Sequence, residues 1–303
     1  MRAAVLGDVD GPFDLRDVPD PAADGKTVVR VRAAGVNFAD VLIRRGRYPQ
    51  MPELPAVLGS EVAGELEDGT RVMAFTSGGG GYAELAAVDP ASVVPLPEHA
   101  SFAEGAGFLL TFLTAYVPLT RQVRLRPGAT VLVYAAAGGV GTAAIQVARA
   151  LGARVVAAAG SAEKLDSCRE LGAEEAHVYA ELPEDLQVDV VVDPVGGELF
   201  AGSFARLRPL GAVVAIGSAA GAWAEVEPAR LVGRNVGLYG FYLGRLMRFE
   251  PELIGTAVGE LLGVWQTGGL RPLVGAELAL DEVEQAHELV ESRKSVGKVV
   301  LIP

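Results

Sequence analysis

The chain has 303 residues, half of them hydrophobic, with a formal net charge of −12 and one cysteine. That length carries two domains with cores of their own. A lone thiol rules out a disulfide framework and fits a reducing compartment, and the surplus of negative charge repels phosphate backbones, which excludes general nucleic-acid binding.

The run Met1-Arg2-Ala3-Ala4-Val5-Leu6-Gly7-Asp8 meets an acid before a signal-like apolar stretch develops, so a cytoplasmic location is expected. Up to about Val94 the chain shows short β-rich runs separated by turns: "RAAVLG", "TVVRVRAAGVN", "AVLGSEVAGELE", "TRVMAFTS" and "GYAELAAV". This is the pattern of a compact, partly antiparallel β domain. Arg44, Arg45 and Arg47 fall where a short helix ends, and there the helix dipole and water favour them. Ser101 and Glu104 have capping-box spacing and introduce an apolar helical stretch ending near Arg121.

From Arg126 the texture becomes an alternation of apolar strands ("ATVLVYAA", "ARVVAAAG", "DVVVDPVG", "GAVVAIGS") with helices ("GTAAIQVARALG", "AEKLDSCRELG", "ELFAGSFARL"), and "NVGLYGFYL" extends it. Such alternation predicts a parallel sheet covered on both faces. The uncharged run from Pro127 to Ala148 has about the length of a bilayer span. Its central Gly138, Gly139 and Gly141 make it strand, turn and buried helix instead, so no membrane association is expected. After about Glu250 come a helix, "LRPLVGAELAL", a helix opening at Asp281 and "GKVVLIP". These last strands have no sheet of their own, so they should return to the first domain. The predicted division is 1–112 with 248–303 for the outer domain and 113–247 for an inserted α/β domain.

Ala136-Ala137-Gly138-Gly139-Val140-Gly141 follows a strand and opens a helix, the context of a dinucleotide turn, with alanine at the first glycine position. Gly138 lets backbone approach a pyrophosphate, Gly141 permits close helix packing, and the helix N-terminus offers N–H groups. The next strand ends Ala158-Ala159-Gly160, where an NAD site usually carries an acid for the ribose hydroxyls. Without that acid a 2′-phosphate is not repelled. Gly160 leaves room, Ser161 offers a hydroxyl, Lys164 a positive charge and Tyr179 a phenol, so NADP is the expected dinucleotide.

The segments "AAGVNFADVLIRRGRYP", "LGSEVAG", "LTAY", "VLVYAAAGGVGTAAIQVARALGARVVAAAGSAEK", "VVDPVGG" and "GKVVL" occur in this order over nearly the whole chain. In combination they resemble the zinc-free quinone oxidoreductase, or zeta-crystallin-like, branch of the medium-chain dehydrogenase/reductase superfamily. The resemblance implies an α/β fold in which a Rossmann doubly wound parallel sheet is inserted in a partly antiparallel, GroES-like catalytic domain. It also implies NADPH as cofactor and a homodimer or dimer of dimers joined through the cofactor-domain sheets. Zinc-dependent relatives carry cysteine where this chain has Asn37 and histidine where it has Ser60. With Cys168 remote and His99, His177 and His287 isolated, no metal is expected.

By the same resemblance Asn37 and Tyr48 line the substrate side, where the amide or the phenol would donate to a substrate oxygen and Tyr48 would relay a proton. Asp40 would orient the "GVNFAD" turn. Thr114, Gly217, Ser218, Phe241 and Tyr242 would approach the nicotinamide and its ribose, Ala137 to Gly141 the pyrophosphate, and Lys298 the cofactor or cleft. A zinc-free site lacks an alkoxide stabiliser and suits an acceptor that is already electrophilic. The expected reaction is therefore reduction of a quinone, with a 2-alkenal or enone as the alternative acceptor, and a structural or regulatory NADPH-binding role as the reading outside enzymes.

Overall fold

A computed structural model describes residues 1–76 and 78–303. In chain order the first elements are β1 (Arg2–Leu6), β2 (Phe13–Asp17), β3 (Thr27–Val36), α1 (Phe38–Arg44), β4 (Ala56–Val57), β5 (Glu61–Glu65), β6 (Arg71–Phe75), β7 (Leu85–Val88) and β8 (Val93–Pro95). They are followed by α2 (Phe102–Gly105) and α3 (Leu109–Val117). The alternation continues with β9 (Thr130–Val133), α4 (Gly139–Ala150), β10 (Arg154–Ala159), α5 (Leu165–Glu170), β11 (Glu175–Val178), β12 (Val188–Asp193) and α6 (Gly197–Ser203). Then come β13 (Leu207–Ala215), α7 (Pro228–Arg234), β14 (Gly237–Gly240), α8 (Leu243–Phe249) and α9 (Pro251–Gln266). The tail is β15 (Val274–Ala279), α10 (Val283–Glu291) and β16 (Lys298–Ile302).

Two compact units result: 1–110 with 272–303, and 111–271. In the first, β16 pairs antiparallel with β3, so the tail returns to the N-terminal sheet as expected. The sheet order is β15-β16-β3-β5-β6-β8, with β7 also on β3, and only the β15–β16 pair is parallel. A small antiparallel sheet, β2-β1-β4, lies in the same unit. The sequence reading misses β2, "FDLRD": three charges in five residues hide a strand that is at best half-buried. The core of this unit gathers Leu6, Val29, Leu58, Val62, Tyr82, Val283 and Leu301, among others.

The second unit is the predicted parallel sheet, order β11-β10-β9-β12-β13-β14, every neighbouring pair parallel. Leu132, Val156, Val191 and Val213 are fully buried at its centre, as strands covered on both faces require. The chain order reverses between β9 and β12, the switch point at whose carboxyl edge open α/β sheets take ligands.

Two expectations shift. The apolar stretch after Ser101 is not one helix. The Ser101–Glu104 capping box forms, but the helix breaks at Gly105 and Gly107 and passes through a π turn at Pro118–Gln122. Glycine weakens a helix interior and proline brings no N–H. The second unit also runs past 248 to Arg271. There α9 buries Ile254, Ala257, Leu261 and Trp265, and Gln146 of α4 exchanges hydrogen bonds of 2.9 and 2.8 Å with the Arg271 backbone.

Candidate active site

In the second unit the turn after β9 is built almost wholly from backbone. Ala136 N–H donates to the Ala158 carbonyl at 3.0 Å, tying the turn to the end of β10. Ala135, at φ 46°, donates its N–H to the Tyr179 hydroxyl at 3.1 Å. A Cβ on Gly141 would lie 2.2 Å from the Ala135 carbonyl oxygen, so only glycine lets α4 pack against this turn. At Gly138, the N-cap of α4, the same atom would lie 3.3 Å away. Gly138 brings no side chain to that helix end, which leaves the N–H groups of the first turn for an anion. Ala137 is buried, and Gly138, Gly139 and Val140 are half-buried.

At the tip of β10, Ala159 is 2% exposed whereas Gly160 faces solvent. Of the two, position 160 is the one that is open to solvent. A Cβ there would meet only the Tyr179 ring edge, at 3.8 Å. Ser161 precedes a 3-10 turn, Ala162–Lys164, yet its hydroxyl does not cap it. Lys164 is half-buried, and burial pulls its ammonium below the usual lysine range. Gly217 and Ser218 follow β13, and Phe241 and Tyr242 follow β14, on the same carboxyl edge of the sheet. Phe241 N–H donates to the Ala215 carbonyl at 2.9 Å. Thr114 lies buried on α3.

The first unit holds a different kind of site, a buried cluster of charged and amide groups. Asn37 caps α1, and its backbone N–H donates to Asp40 Oδ2 at 2.8 Å. Ser60 donates to Asp40 Oδ1 at 3.0 Å and the Tyr82 hydroxyl to Oδ2 at 3.1 Å. Burial pushes the Asp40 carboxyl up, against the pull of these donors and of Lys298, and pushes the Tyr82 phenol far up. Lys298, the first residue of β16 and expected near the cofactor or the cleft, forms an ion pair with Glu61 at 2.5 Å; both are almost completely buried. Its Nζ also donates to Asn37 Oδ1 at 2.5 Å, while Asn37 Nδ2 donates to Glu61 Oε1 at 3.1 Å and reaches the Gly35 carbonyl at 3.5 Å. Both ends of the Asn37 amide are thus engaged within the protein. Tyr48 is half-buried in the loop after α1.

Sequence reasoning overlooked Glu61 and Tyr82. The available signal was a glutamate heading the otherwise apolar "EVAG". His287, isolated in the sequence, is fully buried between the rings of Phe13 and Tyr82, with centroids at 4.9 and 5.8 Å. Neither of its ring nitrogens has a hydrogen-bond partner among the described residues, and burial lowers its pKa to about 3. Cys168 is buried too, its thiol pushed up to about 11.

Comparison with known proteins agrees with this two-part architecture. Residues 23–98 match the alcohol dehydrogenase GroES-like domain and residues 139–258 the zinc-binding dehydrogenase family. Quinone oxidoreductase-like protein 2 of Bos taurus is 34% identical over 99% of this chain and 92% of its own. The chain belongs to the quinone oxidoreductase branch of the medium-chain dehydrogenase/reductase superfamily. Among solved structures of this branch, the quinone oxidoreductase of Thermus thermophilus, also solved with NADPH, superposes with a TM-score of 0.93 at 44% identity, each chain covered in full. A mycobacterial protein complexed with NADPH gives 0.91 at 32%, again with both chains fully covered.

The name of the second matching family raises zinc, and the donor set does not fit it. A zinc centre takes thiolate, imidazole or carboxylate ligands. Here Asn37 Oδ1 and Glu61 Oε1 hold an ammonium, and both Asp40 oxygens accept hydrogen bonds. No group of three or more His, Cys, Asp or Glu able to hold a metal occurs among the described residues. Nor, among them, is any helix long and apolar enough to cross a membrane.

Proposed function

We propose that this protein reduces quinones with NADPH and without a metal. The observation that carries the reading is the pairing of an uncapped α4 N-terminus with a β10 tip that bears Gly160 in place of an acid. The N–H groups from Gly139 to Gly141 would hold the pyrophosphate, with Gly138 and Ala137 giving close backbone approach. Gly160, Ser161, Lys164 and Tyr179 would receive the 2′-phosphate. Thr114, Gly217, Ser218, Phe241 and Tyr242 would border the nicotinamide and its ribose. When bound, NADPH supplies the hydride.

On the substrate side the donor is the Tyr48 hydroxyl, which would hydrogen-bond the acceptor oxygen as it becomes negative and pass it a proton. The Asn37 amide, committed to Glu61 and Lys298, shapes that wall rather than donating from it. Asp40 holds the α1 N-terminus through its three hydrogen bonds. Orientation carries much of the rate. The exposed edge of β14, with Leu238 and Tyr239 partly open to solvent, suits joining to a second copy as a homodimer or dimer of dimers.

Steady-state loss of reduced-nicotinamide absorbance tests the proposal, with NADPH and NADH side by side against an ortho-quinone and a short 2-alkenal, with and without chelator. Quinone turnover that prefers NADPH and ignores the chelator is expected. A higher rate with the alkenal moves the assignment to an enone reductase. NADPH binding without turnover on either acceptor leaves a binding role.

A further inference from the structure

The buried cluster around Asn37 is organised by a lysine. Glu61 Oε1 accepts from Lys298 at 2.5 Å and from Asn37 Nδ2 at 3.1 Å, and Oε2 accepts the Leu110 N–H at 3.1 Å. The carboxylate therefore touches three elements, α1, β16 and the first turn of α3. A Cβ on Gly35 would lie 2.8 Å from Glu61 Oε1, so the glycine makes room for the charge. The Lys298 stem packs on Gly107, where a Cβ would come within 3.1 Å of Cγ.

Chemistry fixes which way the Asn37 amide points. An ammonium has no acceptor and must face the amide oxygen; a carboxylate has no donor and must face the NH2. Reversing the amide would set donor against donor and acceptor against acceptor in a buried site.

We propose that the Lys298 ammonium is the resident cation of this site: it neutralises buried Glu61, locks the Asn37 amide and occupies the place a metal ion would need. Lys298 is then a positioning residue for turnover and not a cofactor contact. The role in turnover rests on the reading of Asn37 and Tyr48 as substrate-side residues; the role as resident cation does not.

The test is chemical rescue of Lys298→Ala, which removes the equivalent of propylammonium. Expected are a lower Tm, at least a tenfold loss of kcat with the quinone, and an NADPH Kd within twofold of wild type. Propylammonium should raise both Tm and kcat, whereas tetramethylammonium, which has no N–H, should raise neither. A kcat within twofold of wild type, a loss confined to NADPH affinity, or equal rescue by both amines overturns the proposal. If Lys298→Ala does not fold, the uncharged pair Lys298→Met with Glu61→Gln decides: folded with a tenfold lower kcat supports it, folded and fully active overturns it. Should the wild-type protein reduce no acceptor, the proposed activity fails alone, because the N–H-dependent gain in Tm still decides whether the ammonium is the site's cation.

Discussion

The two units carry candidate sites that are built on opposite physical plans. In the second unit the turn into α4 is alanine, glycine and backbone, with its helix N-terminus left for an anion. In the first, Asp40, Glu61, Lys298 and Asn37 are buried and satisfy one another. A dinucleotide brings its own charge, so its binding turn needs donors and room rather than ions. The cluster around Asn37 must hold a fixed arrangement inside a protein interior, and there every charge needs a partner.

The sharpest way to break this contrast is Asp40→Ala. It strands the Asn37 N–H and the Ser60 and Tyr82 hydroxyls without an acceptor. Denaturant unfolding should show a loss of about 3 to 5 kcal/mol; a loss below about 1 kcal/mol would mean the cluster is not rigid.

Acid should attack the same unit through His287. The unfolded chain takes up this proton near 6.5, the folded one only near 3. Between those values the unfolded state binds more protons, so stability falls with falling pH, by on the order of 5 kcal/mol in full. Asp40, whose carboxyl is raised, works the other way over the range above 3.8. The difference between wild type and His287→Leu therefore isolates the histidine, and parallel pH profiles of the two would refute its buried neutral state.

In the second unit, Gly141→Ala places a methyl group against the Ala135 carbonyl. About 2 kcal/mol of stability should go, and NADPH binding with it, by thermal unfolding and fluorescence titration. The smallest effects should be the selective ones. Lys164→Ala is expected to weaken NADPH by about 1 to 3 kcal/mol and leave NADH alone. Gly160→Asp, on an exposed tip with open space, should invert the preference toward NADH. Equal losses for both nucleotides would move the 2′-phosphate elsewhere.

How legible each of the two was follows from the same contrast. The dinucleotide turn reads directly because its determinants lie close together in the chain: a strand, glycines at set intervals, a helix, and the tip of the next strand. Even so, only burial shows that Gly160 rather than Ala159 is the exposed position. The Asn37 cluster is written across the chain, with Glu61 24 positions and Lys298 261 positions after Asn37. No local periodicity reports such a pairing.

The sequence by itself determined the parallel sheet, its inserted place and the missing acid, since strand pattern, turn chemistry and the absence of a charge are local properties. The family resemblance also implies that Asn37 and Ser60 stand where zinc-dependent relatives carry ligands. Only the tertiary structure decided which groups surround Asn37. Pairing of β16 with β3 brings the C-terminal lysine beside the N-terminal asparagine, and in a protein interior a buried charge is held by a partner of opposite sign.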